Sequence, residues 1–296
     1  MSQTLLVTGA SGKLGRAVIR HLIETQKVPA QDIIATTRKP EELSDLAAKG
    51  IVVRKADFDD EASLAEAFKG ADRILIISTD AVGVPGKRIA QHRNAVAAAK
   101  KAGVKHILYT SMPNPDVSEV LFAPDHAGTE KAIKESGIPY TILRASWYQE
   151  NLVGSLANVI KSGTWYTSSG SGKLAHVSRD DIAAAAAGAL VASGSESGTY
   201  TLTGTVARSY AEIAEIASKV TGKPIKVVQV TDEAFAESLR DAGLPAPVAD
   251  LVTSIERNCR EGYIKDVTDD VEKFAGHKPG SLESFLEANK AALLGA

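Results

Sequence analysis

The chain has 296 residues, and its 34 Lys plus Arg stand against 36 Asp plus Glu, which excludes the basic excess that drives binding to nucleic-acid backbones. A single cysteine, Cys259, excludes an internal disulfide and any thiolate metal cluster within one chain and fits a reducing compartment. The longest apolar stretch, Ile182 to Ala192, is mostly alanine and too short to span a bilayer, so neither nucleic acid nor a membrane is an expected partner.

The first element is an apolar strand, Thr4-Leu5-Leu6-Val7-Thr8, that runs straight into Gly9-Ala10-Ser11-Gly12-Lys13-Leu14-Gly15. Glycines at this spacing allow a tight turn and close backbone approach, and a helix starting near Lys13 aims free N–H groups at a diphosphate. The flanks agree, because Leu14, Val18, Ile19, Leu22 and Ile23 recur at helical spacing. Gly9 to Gly15 are therefore expected to cradle a dinucleotide.

Strands follow at Asp32–Thr37, Ile51–Lys55, Arg73–Ser78, Lys105–Ser111 and Tyr140–Arg144, separated by helices near Pro40–Lys49, Glu61–Lys69, Pro85–Ala102 and Ala123–Ser136. Strict alternation implies right-handed crossovers and a parallel sheet covered on both faces, a doubly wound α/β Rossmann architecture. Beyond residue 145 the rhythm breaks: a helix near Gln149–Lys161, a Gly/Ser-rich loop Ser168–Gly172, an alanine-rich helix Arg179–Ala192 and a strand Gly198–Thr203. The expected division is a dinucleotide-binding domain over 1–145 and a smaller α/β lobe over 146–296, with some segments returning to the sheet.

The end of the second strand faces the adenosine ribose in such folds, and here it reads Thr36-Thr37-Arg38-Lys39-Pro40. Asp32 is at the other end, so no carboxylate opposes a 2′-phosphate, and Arg38 offers it a planar fork; NADP(H) is expected over NAD(H). Lys13 adds to the same positive field. After the third strand, Ala56-Asp57-Phe58 places Asp57 either to accept from the adenine amine or to cap the next helix.

The Tyr-x-x-x-Lys dyad with which short-chain dehydrogenases protonate an alkoxide is absent: none of the seven tyrosines has lysine four residues on. The corresponding helix reads His126-Ala127-Gly128-Thr129-Glu130-Lys131, with the lysine kept and alanine in the tyrosine's place. Alcohol oxidation and epimerisation are thereby disfavoured. Acceptors whose reduced form is a stable anion remain, since a hydroquinone resembles tyrosine in acidity, with a pKa of about 10, far below that of a water-like hydroxyl. Lys131 is read either as a holder of the nicotinamide ribose or as a surface lysine. No catalytic residue is assigned.

The motifs Gly9-x-x-Gly12-x-x-Gly15, Arg38, Gln91-His92-x-Asn94, His126-x-x-x-Glu130-Lys131 and Arg144-x-x-Trp147-Tyr148-x-Glu150-Asn151 together resemble the NmrA-like atypical short-chain dehydrogenases. Within them the chain is most similar to the NAD(P)H:quinone oxidoreductase type 2 group, with triphenylmethane reductase nearby, and the similarity spans the whole chain. The resemblance implies that Gly9 to Leu14 hold the pyrophosphate of NADPH, Arg38 the 2′-phosphate, and Ser78-Thr79 the nicotinamide side. Ala145-Ser146-Trp147-Tyr148 would line the nicotinamide and substrate cleft, with Trp147 and Tyr148 against the substrate. The family often carries Asn-Gly where this chain has Ala145-Ser146. The implied activity is two-electron reduction of quinone-like acceptors in the cytoplasm. A non-catalytic NADP(H)-sensing regulator and a reductase of dyes or imines are the alternatives, and a homodimer is kept open.

Two further signals point elsewhere. His126 and Glu130, four apart, present two metal ligands without a third, and so read as a helix-surface hydrogen-bonding pair with no metal. Gly170-Ser171-Gly172-Lys173 has the outline of a P-loop but lacks its hydroxyl residue, and is expected to be a turn near the cleft mouth.

Overall fold

The computed structural model describes residues 3–295. In chain order its elements are β1 (Leu5–Val7), α1 (Lys13–Glu24), β2 (Ile33–Thr37), α2 (Ser44–Ala47), β3 (Val52–Lys55), α3 (Glu61–Phe68), β4 (Arg73–Ile76), α4 (Lys87–Lys101), β5 (His106–Ser111), α5 (Ala123–Ser136) and β6 (Tyr140–Ala145). The remainder comprises α6 (Glu150–Ser162), β7 (Thr164–Thr167), α7 (Arg179–Val191), β8 (Gly198–Leu202), α8 (Tyr210–Thr221), β9 (Lys226–Gln229), α9 (Asp232–Asp241), α10 (Ala246–Arg260), α11 (Asp270–Ala275), α12 (Leu282–Ala288) and α13 (Lys290–Leu294).

Seven strands form one parallel sheet in the order β3-β2-β1-β4-β5-β6-β8. The chain winds outward from β1 to β3, then crosses back to lay β4 on the other side of β1. That reversal leaves a crevice beyond the carboxyl ends of β1 and β4, where open α/β sheets bind ligands.

Both faces of the sheet are buried, and period-2 alternation divides the side chains between two cores. Along β4, Leu75 joins the core beneath α1 and α7, whereas Ile74 and Ile76 join the one beneath α3, α4 and α5 with Phe68, Val96 and Ile133. All three strand residues are fully buried, each contributing about 1.5–3 kcal/mol relative to exposure. Arg73, at the start of β4, donates to the carbonyls of Ala189, Leu190 and Gly194, satisfying the carboxyl end of α7.

Residues after 145 go to two places. Helix α7, strand β8 and helix α11 pack into the first core through Ile182, Leu190, Leu202 and Val271. Helices α6, α8, α12 and α13 gather around Trp165, Ile213 and Cys259 into a separate core beside the two-stranded parallel sheet β7-β9.

Three local differences from expectation have physical causes. The segment read as a helix over Pro40–Lys49 breaks into a 3-10 turn, Pro40–Leu43, and one short helical turn, since proline starts the first and Leu43 is buried before the second. Strands β7 and β9 were not anticipated, being four residues each and too short for a period to register. The Ser168–Gly172 loop is a turn, but it does not border the crevice: Ser168 O accepts from Arg260, and a Cβ on Gly172 would lie 2.3 Å from the Cys259 carbonyl oxygen, so α10 holds it in the second lobe. Among the described residues, no helix is long and apolar enough to cross a membrane.

Candidate active site

The crevice begins at the glycine turn. Gly9 takes φ +59°, a conformation that side chains rarely adopt, and its carbonyl accepts from the Gly12 N–H at 3.0 Å. A Cβ on Gly15 would lie 2.4 Å from that carbonyl and 2.8 Å from the Ala10 Cα, so glycine is required for α1 to pack against the turn. Gly12 is the N-cap of α1, with no side-chain cap and no acid in the first turn. The helix N-terminus therefore keeps its N–H groups open to an anion.

From this turn a cleft of about 280 Å³ runs past Ser11, Thr36, Thr37 and Arg38 to Ala56, Asp57, Phe58 and Gln91. Ser11 and Thr37 share a hydroxyl hydrogen bond of 3.1 Å, and the buried Thr36 Oγ1 has no partner among the described residues. Arg38 is exposed, and among the described residues its guanidinium makes no ion pair, whereas neighbouring Lys39 is spent on Glu42. Asp57 does not cap α3: Asp60 does, accepting from Ala62 N and Ser63 N, while Asp57 Oδ1 accepts from Asp59 N. Asp57 lines the cleft between Ala56 and Phe58.

Ile77 and Ser78 belong both to this cleft and to a second one of about 310 Å³, lined by Leu14, Arg88, Ser111, Met112, Phe122, His126, Ala145, Ser146, Trp147, Tyr148 and Asn151. The two are continuous across the carboxyl end of β4. Trp147 stacks nearly parallel on Phe122, and Tyr148 carries the Arg179 guanidinium over its ring. Both also pack on buried apolar residues, so they serve the core and line the cleft at once.

Behind the second cleft is a buried polar network that fixes the tautomers of two histidines. The Thr79 N–H donates to Nε2 of His92, leaving Nδ1–H to donate to Thr129 Oγ1, which in turn donates to the Asp125 carbonyl. Arg88 donates from Nε to the Thr79 carbonyl and from Nη2 to Nε2 of His126, so His126 Nδ1–H is directed at the Tyr109 hydroxyl, 2.8 Å away. Burial, reinforced by the Arg88 charge, pushes His92 down to about 3 and holds His126 far below the usual range. Burial raises the Tyr109 and Tyr148 phenols. His126, which lines the cleft, is thus a neutral imidazole whose N–H is occupied, and His92 behind it is in the same state.

Several expected residues fall elsewhere. Lys131 is a surface lysine, its side chain 75% exposed and 3.8 Å from Glu135, and it lines neither cleft. Its neighbour Glu130 turns inward, accepting two hydrogen bonds from Arg144 at 2.9 and 2.7 Å and one from Ser111 at 2.7 Å. His126 and Glu130 are accordingly not a surface pair: both are buried and each bonds to other residues. Lys13 is exposed and borders neither cleft, Ala10 and Gly15 are buried in the turn, and Thr79 lines the first cleft while its backbone anchors the network.

Arg88, Met112 and Phe122 were not anticipated. A buried arginine near a helix start has no periodic signature, and Phe122 lies in an irregular segment. Thr36, Thr37 and Gln91 could have been found from their position at or facing the strand ends.

Comparison with known proteins places these features in context. The sequence model of the NmrA-like family matches residues 1–286. The chain is 39% identical to quinone oxidoreductase 2 of Escherichia coli strain K12, over 94% of this chain and 96% of that protein. It is 27% identical to the NAD(P)H azoreductase of Xenophilus azovorans, over 97% and 98% of the respective chains. The NADPH-dependent quinone oxidoreductase of Escherichia coli, solved with NADPH, superposes with a TM-score of 0.91 at 38% identity, covering 96% of this chain and 99% of that one. The triphenylmethane reductase of Citrobacter sp., solved with NADP(H), gives a TM-score of 0.89 at 37% identity, covering 97% and 99%.

Proposed function

The chain belongs to the NmrA-like family, and from that membership and the geometry of its cleft we infer that it is an NADPH-dependent oxidoreductase that passes hydride to quinone-like acceptors. The observation that carries the acceptor class is the state of the titratable groups at the cleft wall: His126 is held neutral with its N–H engaged, and burial raises the Tyr148 phenol further from the acidity a proton donor needs. An ordinary ketone would need such an acid at the moment of transfer. A quinone does not, because its reduced form is stable as an aryloxide until water supplies the proton.

The residues present fit the dinucleotide. The Gly9–Gly15 turn admits no Cβ at Gly15, the uncapped start of α1 faces outward, and the orphaned Thr36 hydroxyl borders the same cleft. Gly9, Ser11, Gly12 and the first turn of α1 at Lys13 and Leu14 would hold the diphosphate by backbone N–H groups. Arg38 would hold the 2′-phosphate, Asp57 and Phe58 the adenine, and Ser78, Thr79, Ala145 and Ser146 the nicotinamide end. When bound there, NADPH supplies the hydride.

Trp147, Tyr148 and Phe122 offer flat apolar surface to a planar acceptor, and the chain's work is to orient it and exclude water. The single buried cysteine suits a cytoplasmic location, which forms part of the same proposal.

The test is NADPH oxidation with 1,4-benzoquinone, a naphthoquinone, a cationic triphenylmethane dye and a simple ketone, each repeated with NADH. NADPH-preferring turnover of the quinones and none of the ketone is expected. Cofactor binding without turnover of any acceptor would replace the enzyme with a sensor.

A further inference from the structure

We propose that Arg88 supplies the fixed positive charge that stabilises the aryloxide formed when a quinone accepts hydride in the second cleft. The proposal rests on the quinone-reductase reading and adds to it the group that makes an acid unnecessary.

Arg88 lies at the start of α4, is 4% exposed and lines the cleft beside Phe122 and His126. Two of its arms are committed, Nε to the Thr79 carbonyl and Nη2 to His126 Nε2; Nη1 is buried and has no hydrogen-bond partner among the described residues. Its guanidinium carbon sits 5.2 Å from the centre of the Phe122 ring, the ring that stacks on Trp147. A buried guanidinium with a spare arm is costly unless something negative comes to it.

The protein's own counter-charges are poorly placed to do so. Asp125 Oδ2 is 4.0 Å from Nη1 but its side chain is 24% exposed, so water shares its charge. Asp80 contributes less, and Glu130 is held by Arg144 and Ser111. His92, His126 and Tyr109, which also face Arg88, are all neutral. The cleft wall therefore carries a positive field that Asp125, part-exposed at 4.0 Å, offsets only in part.

The chemistry requires such a field at one moment. The C–H bond of the dihydronicotinamide breaks, the new bond to hydrogen forms on the quinone, and the electron pair ends on the far carbonyl oxygen as an aryloxide. A proton from water then completes the hydroquinone. Arginine stays charged throughout, so it stabilises the anion without exchanging a proton. A cationic triphenylmethane dye differs in that hydride converts a cation into a neutral product, and no anion develops.

The experiment compares Arg88→Met and Arg88→Lys with the wild type. In Arg88→Met, the ratio of quinone to dye turnover should fall roughly 10²-fold, the cost of losing one preorganised charge donor. Arg88→Lys should recover part of it. Quinone and dye rates falling together would reduce Arg88 to a structural residue and overturn the proposal. A second readout needs no turnover: 4-nitrophenol bound to the cofactor-free protein should titrate at lower pH than in solution, followed by its visible phenolate absorbance, and Arg88→Met should abolish that shift. An equal shift in both proteins also overturns the proposal.

Should Arg88→Met fail to fold, the wild type still decides. 4-Nitrophenolate should inhibit quinone reduction more strongly than neutral 4-nitroanisole, and equal inhibition sinks the idea. A wild type that reduces no quinone yet shifts the nitrophenol titration would refute the reductase reading, while the anion site would stand.

Discussion

Arg88 donates to Nε2 of His126 across 3.0 Å, and that one bond decides what the histidine is able to do. With Nε2 occupied as acceptor, the ring keeps its proton on Nδ1 and gives it to Tyr109, so His126 faces the cleft as a neutral spacer. His126→Phe should leave the Arg88 Nη2 arm unpaired and lower stability by about 1–3 kcal/mol, read by urea denaturation. Quinone turnover should show no histidine ionisation between about pH 6 and 8 in the wild type, and a bell-shaped profile there would contradict the assignment.

Arg38 stands at the rim of the first cleft without an ion pair among the described residues. Arg38→Ala should weaken NADPH by roughly 10–100-fold, the worth of a charge-assisted contact, and leave NADH nearly unaffected. Fluorescence titration of both cofactors measures it, and equal loss for both would remove the 2′-phosphate from Arg38.

Gly15 is the tightest point of the cradle, with the Gly9 carbonyl where a Cβ would go. Gly15→Ala should cost about 1–3 kcal/mol through forced displacement of the turn. NADPH affinity should fall with it, because the displaced atoms include those facing the diphosphate. A variant with wild-type urea midpoint and affinity would show that the turn has room.

Glu130 and Arg144 tie α5 to the end of β6, immediately before the cleft-lining Ala145 and Ser146. Glu130→Gln keeps the shape and removes the charge, leaving Arg144 half-buried beside a weaker acceptor. The expected loss is about 2–4 kcal/mol, at the modest end because Arg144 keeps some contact with water. Thermal denaturation measures this, and an unchanged midpoint would mean that Asp116, 3.7 Å from Arg144, carries the pair alone.

Acid should destabilise the fold through its buried histidines. Burial holds His92 at about 3 and His106 and His176 at about 4, against about 6.5 when unfolded. Below pH 6.5 the unfolded chain binds protons that the fold refuses, so stability falls as pH drops, by up to about 1.4 kcal/mol per unit for each group. The loss continues to about pH 4, where His106 and His176 protonate in the fold, and to about pH 3 for His92. Urea midpoints at pH 7.5 and 5 test the slope; equal values would place these rings in contact with water.

The sheet and the glycine turn could be read from the chain because each has a periodic or positional signature: β-branched runs, three glycines, and a basic residue where the second strand ends. What eluded reading is which way single side chains turn. Lys131 and Glu130 are adjacent on α5, and one residue is a rotation of about 100° on a helix, enough to send one to water and the other into the sheet end. Arg88 was hidden for a related reason: its importance comes from Thr79 after β4 and from Phe122 and His126 at the start of α5, two segments that only the fold brings together around it.

The late return of β8 to the sheet has a consequence for how the protein is made. Strand β6 pairs on its outer side only with Gly198–Leu202, so a growing chain that has released residue 145 still shows an open edge of backbone N–H and C=O groups. The partner strand follows about fifty residues later, roughly 3–10 s at ordinary translation speeds. Until α7 emerges within that interval, the face of α1 bearing Ile19 and Leu22 also lacks its cover. A nascent chain stalled in this window is a template for strand addition, which makes synthesis between residues 145 and 202 the stage at which a chaperone, or another unfinished copy, finds the most to hold.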